Sequence, residues 1–156
     1  MSSIRQQVIS AIVTALESGA DKPANVVVGR SYRFMGDLSR KPTTISVVVK
    51  PGKESVVNHG TRAVVADRTT FIVTEISGAA ADGESWDETL DAAGCYVVKT
   101  MAESPSLGGL VKSIEERESV WEEAEKNERE TLEKGKHHIL WAVQFYTKAN
   151  NQESRP

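Results

Sequence analysis

The sequence predicts an α+β fold: a sheet of about five strands, mostly antiparallel or mixed, with two helices packed on one of its faces. Three observations predict it. Two stretches carry apolar residues at helical spacing behind a polar capping residue, five others are rich in β-branched residues or alternate apolar with polar, and the links between them are short. Short links favour antiparallel neighbours, and amphipathic helices need an apolar sheet face to cover.

The first helix starts at Ser3, where Ser3 and Gln6 have the spacing of a capping box that satisfies free backbone donors reciprocally. Ile4, Val8, Ala11, Ile12, Ala15 and Leu16 then fall on one stripe, and Gly19 offers the stop. The valine-rich run Asn25 to Arg33 predicts a first strand, broken by Gly36, Asp37 and Pro42. Thr43 to Lys50 alternates Ile45, Val47 and Val49 with polar residues, so a second strand buries one face, and Pro51-Gly52 is expected to end it. A flexible polar stretch through His59-Gly60 leads to a longer strand from Ala63 to Ser77, with Phe71 and Val73 on one side and Ile72 and Ile76 on the other. Apolar residues on both sides invite cover on both faces, a neighbouring subunit being one candidate for the second.

Ser85 with Glu88 repeats the capping-box spacing and opens a second helix, reaching about Ala102. Trp86, Leu90, Ala93, Val97 and Met101 trace one stripe along it, which at this spacing reads as core. Ser104-Pro105 ends the helix, and Leu107-Gly108-Gly109-Leu110-Val111 turns the chain into two charged strands, Ile114 to about Glu123 and Lys136 to Thr147. The second of these puts Ile139, Trp141, Val143 and Phe145 on one face, and the two are expected to form an antiparallel acidic pair at the surface. Residues 1–149 make one domain, and the polar tail 150–156 is expected to be disordered.

Of 156 residues, 39% are hydrophobic and 26% charged, ordinary values for a chain that folds in water around one core. No apolar run approaches the roughly 20 residues that span a bilayer, and the N-terminus lacks a secretory stretch, so synthesis in the cytoplasm and no membrane contact are expected. The charge is two-sided: residues 1–75 hold 10 Lys and Arg against 6 Asp and Glu (+4), residues 76–156 hold 9 against 16 (−7). Between Glu115 and Glu133 nine glutamates face Arg117, Lys126 and Arg129, which excludes a duplex-binding surface there.

Tests for chemistry fail one after another. The single cysteine, Cys95, cannot form an internal disulfide or a cysteine cluster for zinc, and is expected to be half-buried on its helix. Gly52-Lys53 lacks the earlier glycine and the following Ser or Thr of a phosphate loop. His137 and His138 are adjacent in a strand and leave opposite faces, so they do not grip one ion together. His59 stands alone, and no nucleophile elbow is present. The carboxylates cluster where solvent keeps them ordinarily ionised. No catalytic residue, no cofactor and no metal is expected, and the chain does not read as an enzyme.

Ser3 to Leu16 (Ser-Ile-Arg-Gln-Gln-Val-Ile-Ser-Ala-Ile-Val-Thr-Ala-Leu), the strand ending Val47-Val48-Val49-Lys50-Pro51-Gly52, and Leu107-Gly108-Gly109-Leu110-Val111 with Trp121-Glu122 downstream resemble tail terminator (tail completion) proteins of long-tailed bacteriophages, the family typified by the lambda minor tail protein U. The resemblance covers about residues 3–147 as an ordered series of elements, without a catalytic motif to anchor it. It implies an α+β sheet backed by helices and a homohexameric ring on the finished tail tube. Such a ring stops tube growth and presents the surface to which the DNA-filled head attaches. The implied partners are other copies of the chain, the major tail tube protein and head-tail connector proteins, with DNA passing through the lumen without specific binding. The implied location is the virion, at the head-tail junction.

A ring needs unlike patches that meet, and the two-sided charge supplies them. The candidate interface residues are Arg33, Arg40, Lys41, Lys53 and Arg62 on the basic side and Glu115, Glu116 and Glu118 on the acidic side. Two other readings stay open at this point: a head-tail connector or neck protein of the same kind of phage, and a small cytosolic enzyme or ligand-binding α+β domain.

Overall fold

Helix α1 (Ile4–Ser18) is followed by strands β1 (Val26–Gly29), β2 (Ile45–Asn58) and β3 (Val65–Ala79), then helix α2 (Trp86–Glu103) and strands β4 (Ser113–Glu123) and β5 (Lys134–Lys148). These elements come from a computed structural model, which describes residues 2–30, 44–58, 65–81, 83–123 and 133–148. The five strands form one sheet in the order β1-β2-β3-β5-β4. Only β1 and β2 run parallel; every other pair is antiparallel, so the sheet is mixed and mostly antiparallel.

Register decides which residues share a face. Val47 lies opposite Ile76, Ile76 opposite His137, and His137 opposite Trp121, so these four side chains project from the same side. Both helices cover that side. Gly94 of α2 lies against His137 and Ile76, while Arg5 of α1 reaches Glu54, whose carboxylate accepts from Thr70 on the same face of β3. The core between the layers is built from Ile9, Ile12 and Leu16 of α1, Leu90 and Val97 of α2, and Ile72, Ile76, Ile139 and Phe145 of the sheet. Its one indole hydrogen bond on the central strands runs from Trp141 Nε1 to Thr74 Oγ1 at 3.0 Å, which keeps a large ring inside without an orphaned donor.

The helix ends show how local sequence is used. Ser3 Oγ accepts from the Gln6 backbone N–H as expected, but the reciprocal half of the box is absent, because the Gln6 amide oxygen accepts instead from Arg30. Ser85 makes no side-chain cap at all; its hydroxyl lowers the Asp87 pKa by hydrogen bonding, and Asp87 and Glu88 serve the helix N-terminus electrostatically. At the other end of α1, the Tyr96 hydroxyl of α2 donates to the Leu16 carbonyl, and a side chain at Gly19 would overlap that phenol. The exit from α2 runs through Leu107, Gly108 and Gly109, all with positive φ (47°, 70° and 84°), a sequence of left-handed residues that two glycines make inexpensive.

Four expectations need correction. Strand β2 does not end at Pro51-Gly52 but continues to Asn58, because Pro51 still pairs with Ile72 and a bulge before Glu54 takes up Gly52 and Lys53. Proline is tolerated at a bulge on an outer strand, and at Gly52 a Cβ would sit 2.8 Å from the Phe71 carbonyl oxygen. The acidic pair is a single strand: β4 is acidic and outermost, whereas β5 lies inside the sheet with alternate residues buried. Cys95 is exposed rather than half-buried, since it points away from the Ala93 and Val97 side of its helix. Trp86 heads the α2 stripe yet is only partly buried, at the margin of the core. The expected strand residues 31–33 and the tail 150–156 lie outside the described residues.

Candidate functional site

The two outer margins of the sheet differ in chemistry. Strand β4 pairs with β5 on one side and with no described strand on the other. Its eleven residues carry five glutamates against Arg117, a net −4, and none of its side chains is fully buried. Glu115, Glu116 and Glu118 are all exposed here. Register splits them: Glu116, opposite Trp141, leaves the helix-covered side, while Glu115 and Glu118, opposite Ala142 and Leu140, leave the open side. A bulge between Glu116 and Glu118 sets Arg117 out of register, and its guanidinium turns back to Glu115 at 2.9 Å.

At the opposite margin, β1 pairs with β2 only through Val48. Beyond it the outer side of β2 meets no described strand, and Lys53, Val56 and Val57 are exposed there. Lys53 and the three glutamates therefore lie on opposite margins, with β3 and β5 between them, about 14 Å of sheet. Arg33, Arg40, Lys41 and Arg62 lie outside the described residues.

Glu54, two strands' width from the acidic margin, is occupied structurally. Its carboxylate meets Arg68 at 3.3 Å and Arg5 at 3.6 Å and accepts from Thr70 at 2.7 Å, while Arg68 Nε donates to Thr147 at 2.9 Å. This network fastens α1 to the far halves of β2, β3 and β5. On the open side Glu75, only 1% exposed, pairs with Lys50 and with Lys136 at 3.0 Å, a buried carboxylate between two lysines. Carboxylates held this way by fixed cations tie neighbouring strands together.

A third cluster was not legible beforehand. At the end of β4, Trp121 stacks on His137 of β5 with centroids 3.6 Å apart and planes within 10°, and Trp86 of α2 stands 6.1 Å from Trp121 at 50°. His137 Nε2 hydrogen-bonds the Ser119 hydroxyl, while Nδ1 has no partner. Burial holds the His137 pKa below 6.5, with Asp91 opposing and His138 reinforcing that shift. The ring is thus neutral near pH 7, with Nδ1 against Gly94. Trp86, Asp87, Glu88, Asp91 and Trp121 line a shallow groove here. Finding it from sequence required knowing that Trp121 faces His137, a register that no short-range pattern in either strand specifies.

His138 leaves the other face, 4.0 Å from Glu75 and 3.8 Å from Glu122, so the two histidines are divided by the sheet as their spacing predicts. Among the described residues no group of three or more His, Cys, Asp or Glu is placed to hold a metal ion. No helix among them is long and apolar enough to cross a membrane. Comparison with known proteins finds no matching family model and no matching curated protein.

Proposed function

We propose that this chain is a structural assembly protein of a bacteriophage virion, a tail terminator that closes into a homohexameric ring on the end of the tail tube. In that role it stops tube polymerisation, seats on the major tail tube protein and offers the surface to which head-tail connector proteins attach. It carries out no reaction and holds no cofactor.

One observation carries the reading: the sheet has two unlike outer margins, an acidic strand β4 at one end and the basic and apolar outer side of β2 at the other. A closed ring is built from heterologous contacts, in which one patch meets a different patch on the next copy. Margin-to-margin pairing would extend the sheet from copy to copy. Glutamates along an outer strand suppress indiscriminate pairing and admit a partner whose facing residues are basic. The acidic margin also suits a passage for DNA, because it offers duplex phosphates nothing to hold. The finer assignment to a tail terminator follows from the resemblance in residues 3–16, 47–52 and 107–122.

The test is deletion of the gene from its phage or prophage, followed by electron microscopy of the lysate. Full heads beside overlong, unjoined tails are expected. Normal-length tails lacking heads would assign the chain to the neck, and joined particles with normal tails would refute both.

A further inference from the structure

The groove at the end of β4 has properties that a ring contact does not require. Its two indoles are seated rather than loosely placed. At Gly135 a side chain would overlap the Trp86 ring, and at Gly94 a Cβ would lie 3.1 Å from His137 Nδ1, so two glycines admit the aromatic groups to their positions. The His137 imidazole then covers one face of Trp121, and Ser119 fixes that imidazole. Even so, Trp121 stays 42% exposed. A preorganised indole with a free part and a tilted second indole beside it is an aromatic recess.

Around that recess stand Asp87, Glu88 and Asp91. The N-terminus of α2 contributes a partial positive charge of about +0.5, which three carboxylates outweigh. Glu123, two residues after Trp121 and on the same face of β4, adds to the same sign. Aromatic faces attract cations through their quadrupole, and carboxylates reinforce that attraction. Among cationic side chains, arginine fits best, since its planar guanidinium both stacks on indole and gives carboxylates a donor fork.

The recess also has a track leading to it. Trp121 lies two residues from the end of β4, whose outer side meets no described strand. An extended segment pairing there would carry alternate side chains toward α2, the usual logic of strand addition with a side-chain pocket. Among the described residues each arginine is already engaged within the chain, Arg5 and Arg68 at Glu54, Arg117 at Glu115 and Arg30 at Gln6.

We infer that the Trp86–Trp121 groove is a binding site for an arginine side chain, delivered by an extended basic segment of a different protein that pairs along β4. The site does not rest on the tail-terminator reading, and a neighbouring copy paired along β4 would compete with the basic segment for the same outer edge.

The experiment uses the full chain, with its indole N–H resonances followed by NMR. The probe is a capped five-residue peptide, Thr-Val-Arg-Val-Thr, and the comparison peptide replaces arginine by neutral, nearly isosteric citrulline. The arginine peptide is expected to move the Trp86 and Trp121 indole signals and to bind about tenfold more tightly than the citrulline peptide. The double variant Asp87→Asn, Asp91→Asn should erase that preference with an unchanged circular-dichroism spectrum. Trp121→Leu should abolish binding, and its melting curve separates loss of the site from loss of the fold. Equal binding of the two peptides, or shifts confined to Trp141, would overturn the proposal. Sedimentation run in parallel gives one more refuting outcome: wild-type copies that associate while Trp121→Leu copies of unchanged fold stay monomeric would make the occupant a second copy.

Discussion

Strands β4 and β5 are neighbours in one sheet, yet they obey opposite rules. In β5 nearly every second side chain is buried, with Ile139, Trp141, Val143 and Phe145 under the helices. In β4 the corresponding side chains are exposed or half-exposed, and Val120 and Trp121, which a stability-driven strand would bury, are 44% and 42% exposed. A backbone ladder flanks β5 on both sides, whereas β4 has one, to β5. What separates their side chains is that the helix layer covers β5 and reaches β4 only at its margin, through Trp86 beside Trp121, so most β4 side chains face whatever approaches from outside.

That contrast can be broken most sharply at Phe145, which is 1% exposed. Phe145→Ala should lower stability by about 4 kcal/mol, as large-to-small changes in packed cores do, read as a shifted denaturant midpoint with an unchanged slope. A loss under about 1 kcal/mol would mean that the helices do not pack on β5 as described.

The seam between the two strands is tested by pH. His137 is 6% exposed and burial depresses its pKa, so the unfolded chain takes up a proton that the folded chain refuses. Its contribution is full above the ordinary value of 6.5 and is lost as pH falls from there through the depressed value in the folded protein. The slope from one such proton is at most about 1.4 kcal/mol per pH unit. Thermal melts between pH 7.5 and 5, compared with those of His137→Phe, should show the wild type losing more stability on acidification. Parallel pH curves for the two proteins would remove the His137 argument.

The smallest effect on stability is expected on β4 itself. Reversal of Glu115, Glu116 and Glu118 to lysine together should leave folding stability within about 0.5 kcal/mol, because exposed positions away from caps and cores are permissive. Self-association measured by sedimentation at low salt should nonetheless weaken, and added salt should weaken it in the wild type. Insensitivity to both changes would sharpen the comparison differently, by confining the role of β4 to its backbone and Trp121.

Much of this architecture was legible because it follows from short-range pattern. The stripe Ile4, Val8, Ile12, Leu16 and the alternation Ile139 to Phe145 report period directly, and both give the buried faces found. Ile9 joined the α1 core unexpectedly because two layers, sheet and α2, widen the buried stripe. What depended on pairing was hidden. Pro51-Gly52 reads as a terminator unless the bulge is known, and the parallel partnership of β1 with β2 leaves no mark in either strand. The same holds for the candidate site. The charge asymmetry of the chain revealed Glu115, Glu116 and Glu118, whereas the Trp86, Trp121 and His137 cluster joins three segments far apart in sequence and exists only in the register of β4 on β5.

The meeting of Gly19 and Tyr96 sets a rule for how this chain can vary. The phenol occupies the space a side chain at position 19 would need, and it also donates to the last turn of α1. Substitution at either site alone is therefore penalised, but the two penalties are not independent: once Tyr96 is replaced by a smaller residue, the steric objection to alanine at 19 disappears. Descendants of this sequence are expected to keep the pair or to lose it together, so the joint state of two positions 77 residues apart offers a covariation signature for recognising distant relatives of the fold.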